Sequence, residues 1–404
     1  MSGASMHPAD AEAFAAAIKA QPVWDRIETG ADAFGLSENI LLHAGPAFAS
    51  VEMISKPILN SACVAAVYEG VATDFDRAEA LIHAGDIKLE PAQDHATVTP
   101  LAAVVSASMP LHRVVDANNP QNAIYSPING GGRPAMRLGL RSQAVLDHIR
   151  WLNSDFRDLL ESALTTPVDL LSIARESLQH GDDCHGRTPH ATRVLMAGLE
   201  QTIGGGIQDA ELRGFIDSSP SLFLNLWMAA SKCIMMSASA ISGSSFVTAV
   251  GGNGVETGIQ ISALPGRWFS AAAKPPDGRF DVDLPPQRAL PAIGDSAVVE
   301  GLGLGAMAIN LAPEQLKGLG EFLPTDYAER SAHLLAGPHP QLAGLDCRVG
   351  LLARAVHEHQ QGPIIGLGML DIEGEKGRLG GGIYDMPATV FNAAMAALEA
   401  AGQS

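Results

Sequence analysis

Between residues 141 and 242 apolar positions recur at helical spacing: Val145, Ile149, Leu152, Phe156, Leu159 and Ala163 share one face, with Asp147, Arg150, Asp158 and Glu161 on the others. The spacing predicts an amphipathic helix that buries the first set. Thr166-Pro167-Val168-Asp169 then reads as a new helix start, because Thr can cap, Pro fits the first turn and Asp suits the positive end of the helix dipole. The almost unbroken apolar run from Phe223 to Met236 predicts a buried helix. Elsewhere the apolar runs are shorter, and Leu101 to Ser106, Phe246 to Val250 and Gly258 to Ser262 are strand candidates. Glycine clusters at 129–132, 251–254, 301–305 and 380–382 punctuate them. The pattern predicts a multi-domain α+β protein in which two mixed α/β regions flank a helical middle domain. The expected divisions are an N-terminal α/β domain over 1–140, a helical domain over 141–242 and a glycine-rich C-terminal α/β domain over 243–404.

Composition narrows the function classes. Of the 404 residues 47% are hydrophobic and 17% charged, enough apolar surface for a sizeable core. The 26 basic and 44 acidic residues give a net charge of −18, which repels phosphate backbones and anionic lipid, so neither nucleic acid nor membrane is an expected partner. Cys63, Cys184, Cys233 and Cys347 are far apart and form no CxxC pair, as expected of reduced thiols. The first twenty residues lack a basic segment followed by an apolar one, and no apolar run reaches a membrane-spanning length, so a cytoplasmic location is the expectation.

The densest polar cluster is His180-Gly181-Asp182-Asp183-Cys184-His185-Gly186-Arg187-Thr188-Pro189-His190. Gly181 and Gly186 interrupt the helical pattern and Thr188-Pro189 reads as cap and first residue of the next helix, which makes this an inter-helix loop. Arg187 beside a helix N-terminus favours a carboxylate or phosphate. Four readings stand open: His185 as a general base oriented by Asp183, Cys184 as a nucleophile, His and Asp (Asp182 included) as ligands of a divalent metal, or a polar loop that only pins two helices.

Other groups are secondary. Gly251-Gly252-Asn253-Gly254 is either a turn that brings amides to a ligand or a hairpin turn built on Asn-Gly. Asp295 and Glu300 stand in apolar surroundings, where a carboxylate could bind a substrate or have its pKa raised, although Asp295 also suits a helix cap. Asp94-His95, Gln121-Asn122, Arg133, Arg137 and Arg141, and Arg267-Trp268 could each reach a pocket. Arg133, Arg137 and Arg141 have i,i+4 spacing and read as a solvated basic stripe, and His357-Glu358-His359 lacks zinc-protease spacing. No resident metal or cofactor is expected.

Taken in order, His43-Ala44-Gly45-Pro46, Ala65 to Gly70, Gly181-Asp182-Asp183-Cys184-His185, Phe223-Leu224-Asn225-Leu226, Asn253-Gly254, Gly258-Ile259-Gln260, Arg267-Trp268-Phe269 and Ile293-Gly294-Asp295-Ser296-Ala297 resemble the DUF1116 (YlbE/YahG-like) family from about residue 40 onward. The resemblance implies a three-part α+β architecture and a role in ureide nitrogen metabolism. It further implies a subunit of an oxamate carbamoyltransferase that interconverts oxalurate and phosphate with oxamate and carbamoyl phosphate, acting with FdrA-like and DUF2877-type proteins. The family's GDECHNRN has Asp183, Gly186 and Thr188 in its third, sixth and eighth places here; Ser219-Pro220-Ser221 replaces Asn-Asp-His, and Gly251-Gly252-Asn253-Gly254 replaces Ala-Arg-Asn-Gly. The expectation is a carbamoyl-transfer enzyme or catalytic subunit, forming a homo-oligomer, with His185, Asp183, Cys184 and Asp182 as catalytic candidates. Arg187, Asn253, Gly254, Asp295, Ser296, Glu300 and Arg267 are the candidates for binding a small ureide or amide substrate. The alternatives are a stand-alone amidohydrolase or lyase on a cyclic ureide or related amide, and a non-catalytic subunit of a multi-protein carbamoyltransferase.

Overall fold

The computed structural model describes residues 6–132, 134–204 and 206–402 and is an α+β protein. Arg133 lies outside the described residues. The helical stretch is present, but its inward face changes register: Val145, Ile149, Leu152 and Phe156 are buried as the periodicity predicts, whereas Leu160, not Leu159, continues the face to Ala163. The π turn Leu152–Phe156 explains the change, since its wider turn rotates the following helix Arg157–Ala163 relative to Gln143–Trp151. The next helix, Leu170–Gln179, starts later than Thr166-Pro167 suggests. Its cap is Asp169, whose Oδ1 accepts from Leu171 N at 3.0 Å and Ser172 N at 3.1 Å. Val168–Asp169 instead forms a short strand on the outside of an antiparallel sheet whose other members, inward from it, are Pro22–Thr29, Pro110–Asp116 and Asn119–Pro127.

Leu222–Met236 is the buried helix that its apolar run predicts, packed against that first sheet on one side and against Val247–Asn253 and Val298–Leu302 on the other. Its one basic residue, Lys232, is buried and donates from Nζ to the Thr248 carbonyl at 2.7 Å. Burial lowers its pKa to about 8, against the pull of Asp295 and Asp94.

Beyond it, Val247–Asn253 and Glu256–Ile261 form a hairpin flanked by Ile293–Gly294 and Phe269–Ala272, and Gly254 turns the chain at φ +83°. The hairpin reading of Asn253-Gly254 is therefore the one adopted. Leu101–Ser106 does not form a strand; one bridge, Leu42 to Val105, is its only sheet contact among the described residues. A third, antiparallel sheet places Arg378–Asp385 between Asp277–Phe280 and Ile364–Leu370.

One continuous apolar core draws on all three segments, with a small satellite under Leu36 and Leu42. Asp10 in the first helix ties the N-terminus to the late chain by accepting from Ser245 N at 2.6 Å and Arg354 Nε at 3.3 Å. Gly45 lies against the hairpin so closely that a Cβ would sit 2.4 Å from the Gly252 carbonyl carbon, at φ +77°. Gly45→Ala is accordingly expected to cost about 3 kcal/mol, from overpacking and left-handed strain together. Urea unfolding midpoints check this, and an unchanged midpoint would contradict the packing described.

Candidate active site

The loop between Leu170–Gln179 and Pro189–Thr202 is built by its two aspartates. Asp182 Oδ2 accepts from Ser177 Oγ at 2.6 Å and from His190 N and Ala191 N at 2.9 and 3.0 Å, so it satisfies the open N–H groups of the second helix. Thr188, at the cap position, donates to the Pro220 carbonyl instead. Asp183 Oδ1 accepts from His185 N at 2.8 Å and Arg187 N at 2.9 Å, which folds the loop back on itself. Cys184 is fully buried at φ +65°, and burial beside two carboxylates raises its thiol pKa well above the ordinary range. A thiolate is therefore disfavoured there. Cys184→Ala should retain most of the wild-type activity, and a loss of activity without loss of fold would restore the thiol as a candidate.

This folding turns the His185 ring toward Glu300. Nδ1 lies 2.7 and 2.8 Å from the two carboxylate oxygens of Glu300, a residue 0% exposed that also accepts from Ala306 N and Gly366 N. A carboxylate only accepts, so Nδ1 carries a proton and, in the neutral ring, Nε2 holds the lone pair. Burial disfavours a charge on His185, but the Glu300 charge and hydrogen bond, with Asp183, outweigh it and hold the pKa above the usual value. Gly305 allows this approach: at φ +60°, its Cβ would stand 2.2 Å from Glu300 Oε1 and 3.0 Å from His185 Cβ.

His185 opens into a cavity of about 170 Å³ walled by Ser296, Asn129, Asn225, Gln315, Arg137 and Arg378, with backbone from Gly366 to Gly368. Arg137 is fixed by donating to Asn129 Oδ1 and to the carbonyls of Gly130 and Gly131. Burial, aided by the nearby charge of Arg378, lowers its pKa to about 10, which still leaves it charged. Arg378 is held by Asp281 at 2.6 Å. Two guanidiniums, one of them paired with Asp281, around one small cavity are chemistry that suits a small anion.

Of the residues nominated from sequence, the cavity brings together His185, Ser296 and, behind the ring, Glu300. Asp183 does not orient the imidazole, because its Oδ1 is engaged by backbone amides and Glu300 holds Nδ1. Arg187 is half-exposed, 3.9 Å from Asp182, and outside the lining. Asn253 is consumed in its turn, donating to the Pro46 carbonyl and accepting from Val255 N and Glu256 N, so its side chain is not open to a substrate, and Gly254 adjoins Ser55. Asp295 caps no helix with its side chain; it accepts from Gly45 N, Gln93 Nε2 and Thr99 N and so joins three distant segments. Arg267 is exposed over the Phe269 ring. Asp94 is bonded to Gln260 and Trp268.

The sequence reading missed Arg378, and it named Arg137 as able to reach a pocket but favoured a solvated stripe. Arg137 sits in a short 3-10 turn, Met136–Leu138, with no helical stripe around it; Arg141 instead meets Glu79 and Cys63. The usable signal was the glycine cluster beside each arginine, which brings backbone close to the cavity.

A family model described as oxamate carbamoyltransferase subunit AllG matches residues 87–296. The oxamate carbamoyltransferase subunit AllG of Escherichia coli (strain K12) is 31% identical, with 94% of both chains covered. This chain belongs to the AllG family. An uncharacterized protein of the same bacterium, YahG, is 30% identical over 76% of this chain and 66% of its own length. The crystal structure of a conserved protein of unknown function from Enterococcus faecalis V583 superposes with a TM-score of 0.90 at 27% identity, covering 97% of each chain. The family's name describes a carbamoyltransferase subunit, and the match spans the loop, Asn129, Arg137, Asn225, His185 and Ser296. Glu300 and Arg378 lie beyond the matched segment of the model but within a chain that the AllG relative covers almost throughout. No helix among the described residues is long and apolar enough to cross a membrane.

Proposed function

We propose that this chain is a carbamoyl-transferring subunit whose cavity holds a small carboxylate and a phosphate group while His185 moves the proton between them. The observation that carries this reading is the buried Glu300–His185 pair opening on Arg137 and Arg378, in a chain of the AllG family. In the direction of carbamoylation, the amide nitrogen of oxamate attacks the carbonyl carbon of carbamoyl phosphate. His185 Nε2 accepts the proton that the nitrogen loses. The carbon–oxygen bond to phosphate breaks, the electron pair leaves with the phosphate oxygen, and the proton is returned to that phosphate. Products are N-carbamoyl oxamate (oxalurate) and inorganic phosphate. Glu300 keeps the ring in the required tautomer and stabilises the imidazolium, and the guanidiniums hold the two anions in reach. As a subunit, the chain works alongside FdrA-like and DUF2877-type partners on this reading.

Arg378→Ala should raise KM for the carboxylate or phosphate substrate about 10–100-fold with a smaller change in kcat, since one charge-assisted contact is lost. Steady-state kinetics with each substrate varied tests this, and an unchanged KM for both would remove Arg378 from the site. Because His185 must be neutral to accept a proton and its pKa is held up, the acid limb of kcat/KM should lie above the value of about 6.5 usual for imidazole. A pH–rate profile checks it.

A further inference from the structure

We infer that Glu176, His180 and His190 form a surface site for one zinc-like divalent cation, bridging the two helices on either side of the catalytic loop. One ligand atom from each, a carboxylate oxygen and two imidazole nitrogens, lies within 4.8 Å of the others. Glu176 and His180 are four apart at the end of Leu170–Gln179, so they rise from one helical face, and His190 is in the first turn of Pro189–Thr202. The tautomer of His180 is already the one a ligand needs. Its Nδ1 is 2.8 Å from the Glu176 carbonyl, which can only accept, so the proton is on Nδ1 and Nε2 carries the free pair. The two imidazoles stack with centroids 4.1 Å apart and planes 6° from parallel, and His190 Nε2 is 3.1 Å from Glu176 Oε1.

Two imidazoles and a carboxylate, with water completing a tetrahedron, are a donor set that suits zinc. Binding requires the stack to open: the lone pairs of nearly parallel rings lie in separate planes, so at least one imidazole must rotate out of the stack to bring the three donors onto one ion. Arg193 opposes it: its guanidinium lies 3.3 Å from His190 Nδ1 and can only donate, which places the His190 proton on Nε2, directed at Glu176. An ion that takes Nε2 displaces that proton and turns Arg193 away. The four cysteines are buried and do not compete for the metal. The other stacked pair, His333 and His359, belongs to no such three-ligand group among the described residues.

The experiment is titration of the tag-free full chain with Zn²⁺ by calorimetry, alongside Co²⁺ absorption spectra. The expected result is one ion per chain, a tetrahedral Co²⁺ band, and a rise in Tm on saturation. His190→Ala and Glu176→Gln should each weaken affinity at least about tenfold, Arg193→Ala should tighten it, and His359→Ala should leave it unchanged. These surface variants keep the apolar core, and matching circular dichroism spectra and apo Tm values confirm their folding. Absence of binding by the wild-type chain, or equal affinity in His190→Ala, would overturn the assignment.

Discussion

His185→Ala should lower kcat by about a thousandfold while the chain stays folded. A positioned base that transfers a proton in the transition state contributes about 10²–10⁴ in rate, and the alanine side chain leaves no replacement for Nε2. Glu300→Gln should fall nearly as far by a different route. The amide removes the charge that holds the imidazole pKa up, so the acid limb of the rate profile moves to lower pH. It also fails to fix the tautomer, since its NH₂ group can donate to Nδ1 and send the ring proton to Nε2. Circular dichroism and the two pH–rate profiles together separate a positioning defect from an unfolded chain. Wild-type kcat in both folded variants would place the chemistry elsewhere.

Asp295→Ala should have the largest effect on stability, about 3–5 kcal/mol by urea denaturation, because it strands buried donors from three residues, Gly45, Gln93 and Thr99, at once. Gly45 N and Gln93 Nε2 donate to Oδ1 at 2.9 and 2.7 Å, and Thr99 N donates to Oδ2 at 3.0 Å. Asn at this position would not repair the loss, since its NH₂ group would meet other donors. Burial raises the Asp295 pKa to about 6, although these donors and Lys232 pull it down. The folded value is above the usual carboxylate value of about 3.9, so the group's contribution to stability is full below that pH and declines as pH rises through about 6. The gap between wild type and Asp295→Ala should therefore be wider at pH 5 than at pH 8. An equal gap at both would mean that Asp295 does not change its proton affinity on folding.

The elements that were legible in the sequence are those whose pattern is local. The apolar run through Trp227 marked the buried helix, and Val250 and Ile259 marked the hairpin, because burial on all sides and a glycine turn leave direct signatures. The inward switch from Leu159 to Leu160 was not legible, since a π turn breaks the periodicity from which a face is read. Thr166-Pro167 misled because Asp169, three residues on, carries the same capping chemistry. In the cavity, His185, Ser296 and Glu300 were singled out, but the pairing of His185 with Glu300 was not. Those two residues are 115 positions apart, and only the fold closes that separation. Asp183, next but one to His185, was the nearer carboxylate in sequence and the wrong one in space. Arg378 escaped notice for the same reason as Glu300: its nearest recognisable neighbour was a glycine cluster.

Carbamoyl phosphate formation from oxalurate and inorganic phosphate, followed by ³¹P nuclear magnetic resonance on the chain together with the proposed FdrA-like and DUF2877-type partners, tests the role of the cavity most directly. A carbamoyl phosphate signal that requires both substrates, and that vanishes when the complex carries His185→Ala, is the expected result. Oxalurate cleavage that proceeds without phosphate, or an undiminished signal from the folded His185→Ala complex, would contradict it.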